Sequence, residues 1–160
     1  AILASHISYT DKKGDRENIK NPGQLRLTGF AGIPMYILTI EDNFSSAHQL
    51  RGYKGKCENI HGHNWKVVLS VKGLRLDDTG LLIDFHELKA LLKAVTDRLD
   101  HKNLNDLEYF QDHNPSSENI ARFIFEEMMR SLEKIQRIDI TMDSLTVWES
   151  ETSRCTYKPD

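Results

Sequence analysis

Cys57-Glu-Asn-Ile-His61-Gly-His63-Asn-Trp-Lys-Val-Val-Leu-Ser-Val-Lys72 runs a metal-ligand pattern straight into a strand-type apolar run. In a β-strand, positions i and i+2 point to the same face, so His61 and His63 can converge on one metal ion. Zinc is the natural guest: it takes neutral imidazole nitrogen at about 2.0–2.1 Å, and a catalytic site uses three protein ligands with one position left open. The third ligand has two candidates. His48 closes Phe44-Ser-Ser-Ala-His48, the end of another alternating apolar run, and Cys57 offers a thiolate. His48 is preferred, because a Cys four residues ahead of His61 serves better as a reactive group beside the metal than within its shell. His-x-His alone is a weak pattern that also describes ordinary hydrogen-bonded histidines.

Working outward, a strand from about Tyr36 to Phe44 leads through Ser45 and Ser46 to His48. A basic, Gly-containing loop, Arg51 to Cys57, joins it to a second strand from about Asn64 to Lys72. Asp77-Asp-Thr-Gly80 is turn chemistry. Asp84 then caps a helix, with Glu87 placed three residues on to complete a capping box. Phe85, Leu88, Leu91, Leu92, Val95 and Leu99 follow at helical spacing and predict one buried face. A second helix begins near Ser116 or Ser117, after Pro115, with Ile120, Phe123, Ile124, Met128 and Leu132 along one side. Ile138 to Met142 with Leu145 to Trp148, and then Arg154 to Tyr157, read as closing strands. The order strand, strand, helix, helix, strand, strand predicts an α+β layer fold, an antiparallel sheet with helices on one face.

The chain has 160 residues, 39% hydrophobic and 28% charged, which suits one globular domain with its own core. Residues 1–34 read as an N-terminal extension, charged and turn-rich around Asp11 to Asn18 and broken by Pro22 and Gly23; residues 35–160 read as the domain. A net charge of −3 with dispersed Lys and Arg gives no general footprint for nucleic acid. The local basic patch, Arg51, Lys54 and Lys56, reads equally well as a solvated loop or as an anion contact. Two distant cysteines and no signal or membrane-spanning stretch point to reduced thiols in the cytoplasm. Cys155 reads as a half-buried packing residue.

Between the helices lies Leu99-Asp100-His101. A histidine at a helix C-terminus beside an aspartate is suited to holding and moving a proton, although it is also an ordinary helix stop signal. Glu149 follows an apolar strand. It reads either as a solvent-facing strand end or as a carboxylate able to accept two parallel N–H bonds from a guanidine-like ligand edge.

Together these residues resemble the 6-pyruvoyl-tetrahydropterin synthase family, and within it the 6-carboxytetrahydropterin synthase branch of queuosine biosynthesis. The resemblance runs from Met35 to about Pro159. It rests on Phe44-Ser-Ser-Ala-His48, Cys57-x-x-x-His61-Gly-His63, Gly80-Leu-Leu-Ile-Asp-Phe85, Leu99-Asp-His101 with Leu104-Asn105, Asn114-Pro-x-Ser-Glu-Asn119, and Val147-x-Glu149 with Thr152 and Cys155. The three-residue gap between Cys57 and His61 points to the carboxy branch.

The resemblance implies the tunnelling fold, a four-stranded antiparallel sheet with two helices on one face, whose subunits join sheets into a barrel as a trimer stacked into a homohexamer. It implies His48, His61 and His63 as zinc ligands, Cys57 as the catalytic thiol, Asp100 and His101 as the proton-transfer pair, and Glu149 as the pterin anchor. Ser116 and Ser117 match hydroxyls that approach the pterin from a neighbouring subunit. The implied reaction takes 7,8-dihydroneopterin triphosphate to 6-carboxy-5,6,7,8-tetrahydropterin, acetaldehyde and triphosphate, with neither nucleic acid nor membrane as partner. The pyruvoyl branch, and a non-catalytic pterin- or zinc-binding relative, are the alternatives.

Overall fold

Alternation of buried and exposed residues along two 13-residue strands builds the centre of the sheet. β1 (Tyr36–His48) and β2 (His61–Gly73) pair antiparallel over their whole length, from Tyr36 opposite Gly73 to His48 opposite His61. The computed structural model describes residues 35–135 and 139–159, so the extension expected over residues 1–34 lies outside the described residues. β4 (Ile140–Ser150) lies antiparallel beside β2, and β5 (Ser153–Tyr157) lies antiparallel beside β4. These are the four long strands of the expected α+β fold.

A fifth strand completes the sheet. β3 (Lys102–Asn103) pairs parallel with Ser46 and Ala47, giving the order β3-β1-β2-β4-β5. Two residues carry no readable periodicity, which is why the sequence pattern does not announce this strand. It extends the expected four-stranded sheet at the end of β1 that leads to His48.

α1 (Phe85–Thr96) and α3 (Ser117–Lys134) cover one face of the sheet, and α2 (Glu108–Gln111) is a single turn between them. Asp84 caps α1 by accepting the His86 N–H at 2.6 Å. From the sheet, Ile40, Phe44, Trp65, Val67, Leu69, Val71, Leu145 and Val147 face the helices. From the helices, Leu88, Leu92, Val95, Ile120, Ile124, Met128 and Leu132 face back. Each such side chain contributes about 1.5–3 kcal/mol by leaving water. Phe85, the first residue of the helix, departs from the expected buried face at 51% exposed. Among the described residues, no helix is long and apolar enough to cross a membrane.

Two irregularities in β4 matter for the site. The pairing with β2 skips Asp143, and the pairing with β5 skips Glu149, since Trp148 faces Arg154 while Ser150 already faces Ser153. An extra residue of this kind bends a strand and re-aims a side chain, a device that recurs beside active sites.

Candidate metal centre and proton-transfer pair

The strand register assembles the centre. Opposite residues of an antiparallel pair share a face, so His48 stands beside His61, and Ser46 beside His63, on the face that carries Phe44 and Trp65. The three imidazole rings lie 4.5 to 5.2 Å apart between centroids. The Glu149 carboxylate joins them: one donor atom from each of His48, His61, His63 and Glu149 falls within 4.8 Å of the others. Trp65 forms the floor, its ring edge-on to His48 at 5.0 Å and to His63 at 5.1 Å.

Outer partners fix the rings. His48 Nδ1 lies 2.6 Å from the Pro115 carbonyl, and His61 Nδ1 lies 2.8 Å from the Asn59 carbonyl. A carbonyl can only accept, so Nδ1 carries the proton in both rings and Nε2 presents a lone pair to the centre. His48 is 2% exposed, yet its Nε2 and that of His63 are buried without a hydrogen-bond partner. Burial holds both imidazoles below the ordinary histidine value of 6.5, against the pull of Glu149 in the opposite direction. Neutral rings with orphaned lone pairs facing one point fit a cation, and the all-nitrogen-and-carboxylate donor set fits zinc.

The carboxylate has its own support. Ser117, in the first turn of α3, donates its hydroxyl to Glu149 Oε2 at 2.6 Å, while Glu149 Oε1 lies 3.5 Å from His63 Nε2. Ser117 therefore meets Glu149 within its own chain. Ser116 serves as the α3 cap, accepting the Asn119 N–H at 3.4 Å.

Asp100 and His101 form a second constellation. His101 Nδ1 lies 2.8 Å from Asp100 Oδ2, and Asp100 Oδ1 accepts the Ser45 N–H at 2.7 Å. The Ser45 bond, followed by the His101 contact, lowers the Asp100 carboxyl below its ordinary value. His101 donates its own N–H to the Ser45 carbonyl at 2.7 Å and takes a left-handed backbone conformation, φ 53°. His63 and His101 line one cleft of about 460 Å³, with Ser45, Ser46, Asn64 and Lys102 among its walls.

Cys57 sits apart from the four donors, half-buried in a single 3-10 turn, Lys56–Glu58, with its carbonyl accepting the Leu50 N–H at 2.8 Å. Arg51, read as either a solvated loop residue or an anion contact, turns one guanidinium nitrogen inward. Its Nη2 donates to the carbonyls of Phe110, Gln111 and His113 at 2.6, 3.0 and 3.1 Å, closing the C-terminal end of α2. Charge pattern alone does not reveal that backbone carbonyls engage one nitrogen of a guanidinium. Lys54 remains exposed. Cys155 is half-buried on β5, and burial raises its thiol. The Pro115 and Asn59 carbonyls are partners that sequence reasoning missed; the Asn-Pro motif was the sole signal.

This α+β domain, with its histidine-carboxylate centre on a strand hairpin, has known relatives. Residues 37–160 match the model of the 6-pyruvoyl tetrahydropterin synthase family, and the chain belongs to that family. It is 40% identical over 108 residues to a 6-pyruvoyl tetrahydrobiopterin synthase of Dictyostelium discoideum, covering 60% of this chain and 80% of that one. It is 30% identical over 147 residues to a 6-carboxy-5,6,7,8-tetrahydropterin synthase of Haemophilus influenzae, covering 78% of this chain and 99% of that one. Among solved structures, the Caenorhabditis elegans 6-pyruvoyl tetrahydropterin synthase superposes with a TM-score of 0.70 at 28% identity, covering 80% of this chain and 98% of that one.

Proposed function

We propose that the protein is a zinc-dependent 6-carboxy-5,6,7,8-tetrahydropterin synthase of the queuosine route, acting in the cytoplasm on 7,8-dihydroneopterin triphosphate. The observation that carries this reading is a cluster of three histidines and a carboxylate with one member, His63, lining the same cleft as His101 of the Asp100–His101 couple. A purely structural metal site needs no second proton-transfer pair. His48, His61 and His63 would hold the ion, which when bound supplies Lewis-acid polarisation of the substrate's side-chain oxygens. Cys57 takes a proton from the side-chain carbon, and His101, oriented by Asp100, returns one as the double bond moves and triphosphate leaves; one water is then consumed as the outer two side-chain carbons depart as acetaldehyde and the first remains as the 6-carboxy group. Glu149 accepts the neighbouring N–H groups of the pterin ring, with Ser117 holding the carboxylate for them.

A homo-oligomer, a trimer stacked into a hexamer, completes the proposal. The outer edge of β1 from Tyr36 to Ser45 faces no strand neighbour among the described residues, and β5 is the opposite edge. Joining such edges between subunits continues a sheet into a barrel and leaves no backbone groups unpaired.

The second reading is 6-pyruvoyl synthase activity, favoured by the 40% identity to the Dictyostelium relative. Product mass decides. The purified protein, given dihydroneopterin triphosphate, is expected to release acetaldehyde and a 6-carboxy product. A product retaining the three-carbon side chain would establish the pyruvoyl activity, and no turnover with intact metal would leave a pterin-binding protein.

Glu149→Gln places an NH₂ donor against the ring's own donors. The expected result is weaker pterin binding by about 1–3 kcal/mol, measured by calorimetry with the pterin product, at unchanged zinc content. Loss of zinc in that variant would instead put Glu149 among the ligands.

A further inference from the structure

Asn105 and Asn114 lie in two motifs of the chain, and neither takes part in the chemistry above. Their side chains perform the same operation two residues apart. Asn105 Oδ1 accepts the Gln49 N–H and its Nδ2 donates to the Gln49 carbonyl, both at 2.9 Å. Asn114 Oδ1 accepts the Arg51 N–H at 2.8 Å and its Nδ2 donates to the Arg51 carbonyl at 3.0 Å. Each amide satisfies both backbone groups of one residue, which a side-chain carboxamide can do in only one orientation.

The two clamps replace the rungs that β1 loses beyond His48. β1 pairs with β2 as far as His48 and His61, and the loop between these residues carries Cys57. Ser45 is already held on both backbone groups, by Asp100 and by the His101 N–H. Ala47 pairs with Asn103 in β3. Gln49 and Arg51 continue this alternate-residue pattern with side chains in place of a strand. Leu50, between them, donates its N–H to the Cys57 carbonyl at 2.8 Å, so the thiol-bearing turn hangs from the one residue flanked by both clamps. Asn114 also supplies the carbonyl that accepts from Asn119 Nδ2 at 2.8 Å, and its neighbour Pro115 holds His48 Nδ1.

We propose that Asn105 and Asn114 are positioning residues that hold the Cys57 turn in register with the histidine centre and the Asp100–His101 pair. The catalytic consequence rests on the synthase reading above; the geometric claim does not. Misplacing a reacting group by about 1 Å costs on the order of 100-fold in rate.

The experiment compares Asn105→Ala, Asn114→Ala and Asn114→Asp in the full chain. It reads zinc content, amide exchange at Gln49 and Arg51, the rate of Cys57 alkylation by iodoacetamide resolved by peptide mass, and steady-state kinetics. Removing a clamp is expected to speed exchange at its own target residue about tenfold, as two hydrogen bonds are lost locally. Cys57 alkylation should change with it, at parental zinc content, and kcat should fall about 10- to 100-fold at unchanged KM. Asn114→Asp keeps the acceptor for the Arg51 N–H and should recover part of the loss. Faster exchange with parental alkylation and kcat would reduce the clamps to structural ties and overturn the proposal, as would parental exchange in folded alanine variants. Should Asn114→Ala fail to fold, Asn105→Ala and Asn114→Asp carry the same readouts. If the parent protein proves inactive on dihydroneopterin triphosphate, the synthase reading fails, while exchange and alkylation still decide the role of the two asparagines.

Discussion

Cys57→Ala is expected to lower turnover by about 10²–10⁴-fold, the range for removing a positioned proton-transfer group, while keeping its metal. The arrangement of donors bears on the two roles open to this thiol. Four donors cluster without it, and Cys57 sits in its own turn, tied to the centre through the backbone of the loop that joins His48 to His61. Steady-state kinetics with elemental analysis of the same preparation makes the comparison. Metal loss in the variant would return Cys57 to the ligand set and contradict the arrangement described above.

His48→Ala is expected to abolish stable zinc binding and with it turnover. Loss of an outer partner to a ligating histidine already costs about 10- to 100-fold in metal affinity, and removal of the ligand exceeds that. His48 is the most buried of the three, and its removal leaves the Pro115 carbonyl without its N–H partner. A chelator-competition titration measures the effect, and replacing His61, whose Nδ1 faces the Asn59 carbonyl at the loop end, should behave alike. Full zinc occupancy in both variants would place the ion elsewhere.

The features that sequence exposes best are those with a short physical period. His61 and His63 could be assigned to one face because two residues is the repeat of a strand, and the α3 face from Ile120 to Leu132 because its apolar spacing matches a helix. His48 was nominated as a strand-end residue, but that it stands directly across from His61 depends on register over a twelve-residue loop, which local pattern does not determine. The same limit hid the Ser117–Glu149 hydrogen bond, formed across 32 positions of chain. β3 escaped because two residues have no pattern, although they bring Asp100 and His101 to the end of β1. The partners of Arg51 were not legible because a guanidinium looks the same in sequence whether it faces solvent or three carbonyls.

The backbone at His101 sets protection from heat against preservation of chemistry. At φ 53° a residue with a Cβ carries a penalty of about 1–2 kcal/mol that glycine escapes. His101→Gly would relieve that penalty, and the 83% exposed imidazole leaves little packing to lose. A library ranked only by melting temperature would therefore retain this variant as neutral or improved, having discarded the group proposed above to return the proton. Thermostabilisation of this scaffold has to hold residue 101 out of the search.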